Sequence, residues 1–174
     1  MWLFILAELT VFGIFFIAFS YARTKQVELF HASQLQLDRT SGFINTLLLV
    51  TSSYFVATAV TAIEKGNGRK CSKYLLAAIA CGAVFIFLKM LEFVAKYDAG
   101  ITMSTNTFYM FYLFLAFFHF MHVILGMIIL GSVALKAWQG GYSTDHHGVE
   151  TGAAYWHMVD LVWIILFPLI YVLN

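Results

Sequence analysis

Apolar residues fall into five long runs along the chain, separated by polar connections. The runs cover about residues 1–22, 43–63, 74–95, 107–135 and 152–173. Because a helix rises about 1.5 Å per residue, each run can cross a hydrocarbon layer of about 30 Å once. Their length and the lack of strict alternation favour helices over barrel strands. The pattern therefore predicts an all-α membrane bundle of five transmembrane helices, forming a single domain over residues 1–174.

The connection at residues 64–73 carries the densest positive charge. Its basic residues are Lys65, Arg69, Lys70 and Lys73. Loops rich in Lys and Arg stay on the cytoplasmic side of a membrane, so this connection is predicted to face the cytoplasm. The N-terminus and the 145–150 loop then share that side, and the C-terminus faces outward. The outward 23–42 connection mixes polar and apolar residues, which predicts a short interfacial helix, with Ser41 as the N-cap of the second span.

Composition supports a membrane protein without a recognisable enzyme site. Of the 174 residues, 61% are hydrophobic and 11% are charged, and the net charge of +1 gives no indication of a nucleic-acid partner. Cys71 and Cys81 would lie about 15 Å apart along one helix, too far for a disulfide. The chain has no phosphate-binding glycine loop, haem-attachment motif or nucleophile elbow. Small residues at 77–83, with Gly126 and Gly131, predict close helix packing.

Seven ionisable residues interrupt the apolar runs, and groups at this depth are expected to face the bundle interior. They are Glu8, Lys89, Glu92, His119, His122, His157 and Asp160. Lys89 and Glu92 stand three residues apart with opposite charges, so they either pair or extend to the interface. Glu8 has no basic neighbour in sequence and needs a partner from another helix, which leaves a structural and a proton-handling role open.

The last two spans carry three histidines and one aspartate at helical spacing. His119 and His122 share a helix face, and so do His157 and Asp160. Such residues on adjacent helices can hold a metal or haem, but ordinary hydrogen bonding is favoured, with Asp160 orienting His157 or another imidazole. The 145–150 loop adds a further titratable group. It contains Asp145, His146, His147 and Glu150, which either collect protons or a cation, or form a solvated turn.

Several motifs resemble those of subunit III of the haem-copper oxidases. HFMHVILG, then DHHGVETGAAYWHMVDLVWIILFPLIY, is similar to that family's last two helices, whose pattern is H-x-x-H-V-x-x-G, H-H-x-G-x-E and W-H-x-x-D-x-V-W. MWLFILAELTVFGIFFIAF resembles its third helix, GFINTLLLVTSS the start of its fourth, and FLKMLEFVA the end of its fifth. The first two helices of seven-helix members have no counterpart, so the chain resembles five-helix members. Among these, FHASQLQLDRTSGFINTLLLVTSS resembles the NorE type, encoded with bacterial nitric oxide reductases, and the subunits III of quinol oxidases and cytochrome oxidases are close alternatives.

The resemblance implies a non-catalytic auxiliary subunit in the bacterial inner (plasma) membrane. Such a subunit packs beside the haem-bearing catalytic subunit of a terminal oxidase or nitric oxide reductase and supports assembly, stability and proton uptake. It binds no haem or metal of its own, and phospholipid occupies clefts between its helices. In the same way, Glu8 matches the family's buried helix-three carboxylate and Glu92 its helix-five acid. The histidines and acids of the last two spans and of the 145–150 loop match polar positions of the family.

These observations predict one buried polar cluster. His157 and Asp160 are expected to face the first and fourth spans and to join His119, His122 and Glu8, fixing helix register in lipid. Two alternatives remain from the residues themselves. The His pairs allow a small haem- or metal-binding electron carrier, and Glu8, Glu92 and the histidines allow a proton channel.

Overall fold

The computed structural model describes residues 2–142 and 146–173. In these two ranges six α-helices follow one another, and the last continues into a π-helical turn. They are α1 (Trp2–Lys25), α2 (Val27–Gln34), α3 (Arg39–Glu64), α4 (Gly68–Asp98), α5 (Thr107–Trp138) and α6 (His147–Phe167), with the turn at Pro168–Val172. Within the described ranges, five helices are long and apolar enough to cross a membrane, α6 being counted with its turn. The all-α fold with five spans is confirmed.

The helices extend beyond the apolar runs because capping residues, not hydrophobicity, set their first turns. Asp38 caps α3, and its carboxylate accepts a hydrogen bond from the Thr40 N–H at 2.9 Å. The predicted cap, Ser41, is therefore wrong, since it already lies in the first turn of α3. Asn67 and Asn106 cap α4 and α5 in the same way.

Helices α3 to α6 form the core of the bundle. Helix α3 packs against α4 and α6, and α5 packs against the same two helices, so the four close into a ring. Helix α1 lies outside this ring against α5 and α6. Its buried residues are Ile5, Phe12 and Phe19, spaced by seven, so α1 offers only one narrow stripe to the bundle.

Phenylalanine rings join α1 to α5. The centroids of Phe12 and Phe118 lie 5.1 Å apart, and those of Phe15 and Phe114 lie 5.0 Å apart. Near the far end of α1, Phe19 meets Phe30 of α2 at 5.3 Å. These tilted and edge-on contacts are favourable beyond simple area burial. Helix α2 lies in the 23–42 connection, where a short helix was predicted. Gln34 also holds α2 in place, because its Nε2 donates to the Ile170 carbonyl at 3.0 Å.

Two glycines leave room for Trp156 of α6 inside the ring. A Cβ added at Gly82 of α4 would meet the indole at 3.0 Å, and one at Gly126 of α5 would meet it at 2.8 Å. The predicted close packing therefore holds at Gly126. At Gly131 it does not, because an added Cβ would meet nothing within 4 Å. Cys71 and Cys81 are both free thiols, as predicted.

Pro168 changes the helix type at the end of α6. Proline has no N–H to continue the α-helical ladder, and the chain proceeds as a π-helical turn in which the Leu173 N–H donates to the Pro168 carbonyl at 2.8 Å. This turn places Tyr171 in the core, fully buried, within reach of α4.

Candidate functional site

Lys89 of α4 is the most deeply buried charged side chain among the described residues, with 1% of its surface exposed. Its Nζ donates to Oε2 of Glu92 at 2.8 Å and to the hydroxyl of Tyr171 at 2.7 Å. Oε1 of Glu92 accepts from the hydroxyls of Tyr171, at 2.7 Å, and Tyr112, at 2.5 Å. Lys89 and Glu92 therefore pair inside the bundle, and extension of Lys89 to the interface is ruled out.

Aromatic rings surround the Lys89 ammonium. Nζ lies 5.0 Å from the ring centroid of Trp163, 5.2 Å from that of Tyr171 and 5.8 Å from that of Tyr112. These are cation–π distances, which add attraction in a site with little water. Trp163 is fixed in turn, because its Nε1 donates to the Thr46 hydroxyl of α3 at 3.0 Å.

The resulting polar centre links all four core helices. We call Lys89, Glu92, Tyr112, Tyr171 and Trp163 the lysine centre. Its cation and carboxylate cancel in charge, and each carboxylate oxygen has a donor. Such an arrangement fixes helix positions, since its hydrogen bonds are directed from α4 to α5 and to the turn after α6. Sequence reasoning found the two charges but missed the three aromatic residues.

Glu8 of α1 meets His122 of α5, as predicted. Oε2 of Glu8 lies 3.0 Å from Nε2 of His122, and Nδ1 of His122 lies 2.8 Å from the Phe118 carbonyl oxygen. A carbonyl only accepts, so Nδ1 carries a proton, and one further proton is shared between Nε2 and the Glu8 carboxylate. The Glu8 side chain is 20% exposed, because α1 lies outside the ring.

His119 lies in a separate place, inside the ring. Its Nε2 donates to the Val159 carbonyl of α6 at 3.0 Å, while its Nδ1 has no hydrogen-bond partner. Its ring lies between those of Phe85, at 5.8 Å, and Trp163, at 5.2 Å. His119 therefore contacts α6 and His122 contacts α1, although the two are only three positions apart in sequence.

The predicted orientation of His157 and Asp160 is wrong. His157 is exposed, and its Nδ1 lies 2.6 Å from the hydroxyl of Ser53 on α3. Asp160 is buried, interacts with the same Ser53 hydroxyl, and has an Oδ1 without a hydrogen-bond partner. Both residues thus lie on the α3 side of α6. The single cluster with Glu8, His119 and His122 does not form, because α6 stands between α3 and α5.

Two titratable side chains of the 145–150 loop contact each other. Nδ1 of His147 lies 3.5 Å from Oε2 of Glu150, and both side chains are exposed. Asp145 lies outside the described residues. In the part of the chain that the structure describes, no three His, Cys, Asp or Glu residues come close enough to hold a metal ion.

The Glu8 contact gives a first testable prediction. Replacing Glu8 with leucine should lower the free energy of unfolding by about 0.6–2 kcal/mol, because an interhelical hydrogen bond in lipid contributes that much. Glu8→Gln keeps a side chain that can bond Nε2 and should lose less. The free energies of unfolding of both variants are measured by detergent-induced unfolding in mixed micelles. Equal losses in the two variants would show that the carboxylate charge, and not the hydrogen bond, holds α1.

Comparison with known proteins shows similarity along the whole chain. The family model described as cytochrome c oxidase subunit III matches residues 1–174. Cytochrome c oxidase subunit 3 of Thermostichus vulcanus is 32% identical over 173 residues, which cover 98% of this chain and 84% of that protein. Its counterpart in Synechocystis is 30% identical, covering 98% and 73%. A probable cytochrome c oxidase subunit 3 of Rickettsia conorii is 31% identical over 188 residues, covering 99% and 65%.

Proposed function

Because this chain belongs to the cytochrome c oxidase subunit III family, we propose that it is a non-catalytic subunit beside the haem-bearing catalytic subunit of a respiratory oxidase. In this role it supports assembly, stability and proton uptake of the complex. The observation that carries the proposal is the family match along all 174 residues. The protein crosses the membrane several times, and we propose a bacterial inner membrane with a cytoplasmic N-terminus.

The lysine centre supports a structural role over a catalytic one. Its charged atoms and tyrosine hydroxyls are bonded to one another and enclosed by rings, so no group there is left to bind a substrate. We propose that the chain binds no haem or metal of its own. The reactive chemistry would then reside in the partner subunit, for which this chain provides a rigid neighbour.

The partner enzyme reduces either oxygen or nitric oxide, and the relatives bear on which of the two it is. These relatives are named as cytochrome c oxidase subunits, which favours oxygen reduction. The NorE-like stretch at residues 30–53 favours nitric oxide reductase, which we keep as the second candidate. A proton channel has one observation in its favour, the 3.0 Å contact between the ionisable side chains of Glu8 and His122.

Membranes from cells that lack this chain test the proposal. We expect their oxygen consumption to decline faster during sustained turnover, with less proton uptake per oxygen reduced, and resupply of the chain to restore both. A decline in nitric oxide consumption instead would move the assignment to the second candidate. Unchanged rates for both gases would contradict the auxiliary role. Proton flux through the purified chain in liposomes, abolished by Glu8→Gln, would favour the channel.

A further inference from the structure

His157 of α6 lies at the surface of the bundle and near the middle of the membrane. It is ten residues from the start of α6, and its partner Ser53 is eleven residues from the end of α3. Either distance is about 15 Å of helix, which is half of a hydrocarbon layer. The His157 side chain is exposed, and in the part of the chain that the structure describes only its Nδ1 makes a hydrogen bond. A polar ring that faces acyl chains at this depth is costly, so we expect another protein to cover it.

The protons around Ser53 make Nε2 of His157 a hydrogen-bond donor. The Ser53 hydroxyl interacts with Nδ1 of His157, at 2.6 Å, and with the carboxyl group of Asp160. In a neutral group whose inner protons all have acceptors, Ser53 donates either to a bare Nδ1 or to an ionised carboxylate beside an imidazolium. Nε2 carries a hydrogen in both arrangements. A bare Nε2 would leave a net negative charge or an unpaired proton in the middle of the membrane, and both are costly.

The surface around His157 is apolar. The residues three or four positions from Ser53 or His157 that are not buried are Val50, Ala57, Ala154 and Leu161. We call these four, with Ser53 and His157, the His157 face. Neither their side chains nor acyl chains can accept a hydrogen bond from Nε2. A second copy of the chain seated on the same face would bring one donor against another.

The middle of α4 has a different character. Its exposed residues between positions 75 and 88 are Leu76, Ala80, Ala83, Val84 and Phe87. All of them are apolar, and a surface of this kind is satisfied by acyl chains. The hydrogen-bonding requirement at the middle of the membrane therefore distinguishes the His157 face from the α4 surface.

We propose that the His157 face receives a transmembrane helix of the haem-bearing catalytic subunit, and that this helix presents a hydroxyl or carboxamide oxygen to Nε2. The inference rests on the proposed function, which supplies the partner, and adds the surface and the atom through which the two chains meet. An uncharged acceptor matches the neutral group of Ser53, His157 and Asp160. The small side chains of Ala57 and Ala154 let the partner helix approach closely.

Two variants of His157 separate its donor from its bulk. The whole complex is extracted in mild detergent through a tag on this chain, and the haem-bearing subunit that remains bound is measured as detergent is raised. His157→Leu should weaken retention about 3- to 30-fold, because it removes one interhelical hydrogen bond. His157→Gln keeps an N–H donor and should lose less. Phe87→Leu changes an exposed residue of α4 and should match wild type. Wild-type retention in His157→Leu would overturn the proposal.

Photo-cross-linking locates the partner without relying on a change in stability. A photoreactive amino acid is placed at Leu161 or at Val84, whose side chains are 49% and 46% exposed. We expect the haem-bearing subunit to be captured from Leu161 and not from Val84. Capture from Val84 alone, equal capture from both positions, or capture of a second copy of this chain from Leu161 would each overturn the proposal. A wild-type chain that brings out no haem-bearing subunit would instead overturn the proposed function, and this result is visible before any variant is made.

Discussion

Replacing Lys89 with methionine should lower the free energy of unfolding by about 3–5 kcal/mol. The substitution leaves the carboxylate of Glu92 buried without its cation, while the methionine fills a similar volume. An unpaired buried charge is costly, because the surrounding rings and helices admit little water. The change is measured by detergent titration in mixed micelles, with the monomer peak in size-exclusion chromatography as a second readout.

Two further variants identify the cause of the Lys89 effect. Adding Glu92→Gln to Lys89→Met removes both charges and keeps an acceptor for the tyrosine hydroxyls, so most of the lost stability should return. Lys96→Met changes a lysine of the same helix that is less buried and donates to the Gln36 carbonyl at 3.0 Å. That control should cost about 0.5 kcal/mol or less. A double variant as unstable as the single one would show that the pairing is not what matters.

Trp156→Ala should also cost about 3–5 kcal/mol, for a reason of shape and not of charge. The indole is 1% exposed and fills the space that Gly82 and Gly126 leave between α4 and α5. Alanine would open a cavity there that the rigid helices cannot close. The same titration measures it, with Trp138→Ala as the matched control. Trp138 is 54% exposed, so the control should change stability little. Comparable losses in both variants would contradict a packed role for Trp156.

The sequence predicted the spans well because their physical signal is local. Each span needs about 20 apolar residues, and that length is visible in the chain without any knowledge of its neighbours. The Lys89 and Glu92 pair was within reach for the same reason, since residues three apart share a helix face. The start of α3 was misjudged because Asp38, Thr40 and Ser41 are all capping types, and their sequence does not say which one adopts the cap conformation.

The arrangement of the helices was not predictable in the same way. Tyr112, Tyr171 and Trp163 belong to a chain that is 18% aromatic, so nothing marks them before α4, α5 and the π-helical turn are brought together. The proposed cluster of histidines and acids failed because it required α1 and α5 to face the same side of α6 as His157. Which helices are neighbours is a property of the packed bundle, and periodicity along one helix cannot reveal it.

The most direct test of the central claim is the identity of the protein that accompanies this chain out of native membranes in mild detergent. We predict that a haem-bearing catalytic subunit copurifies, and that the chain separated from it shows no Soret absorption. A separated chain that carries its own Soret band, which disappears on His119→Ala, would contradict an auxiliary subunit without haem.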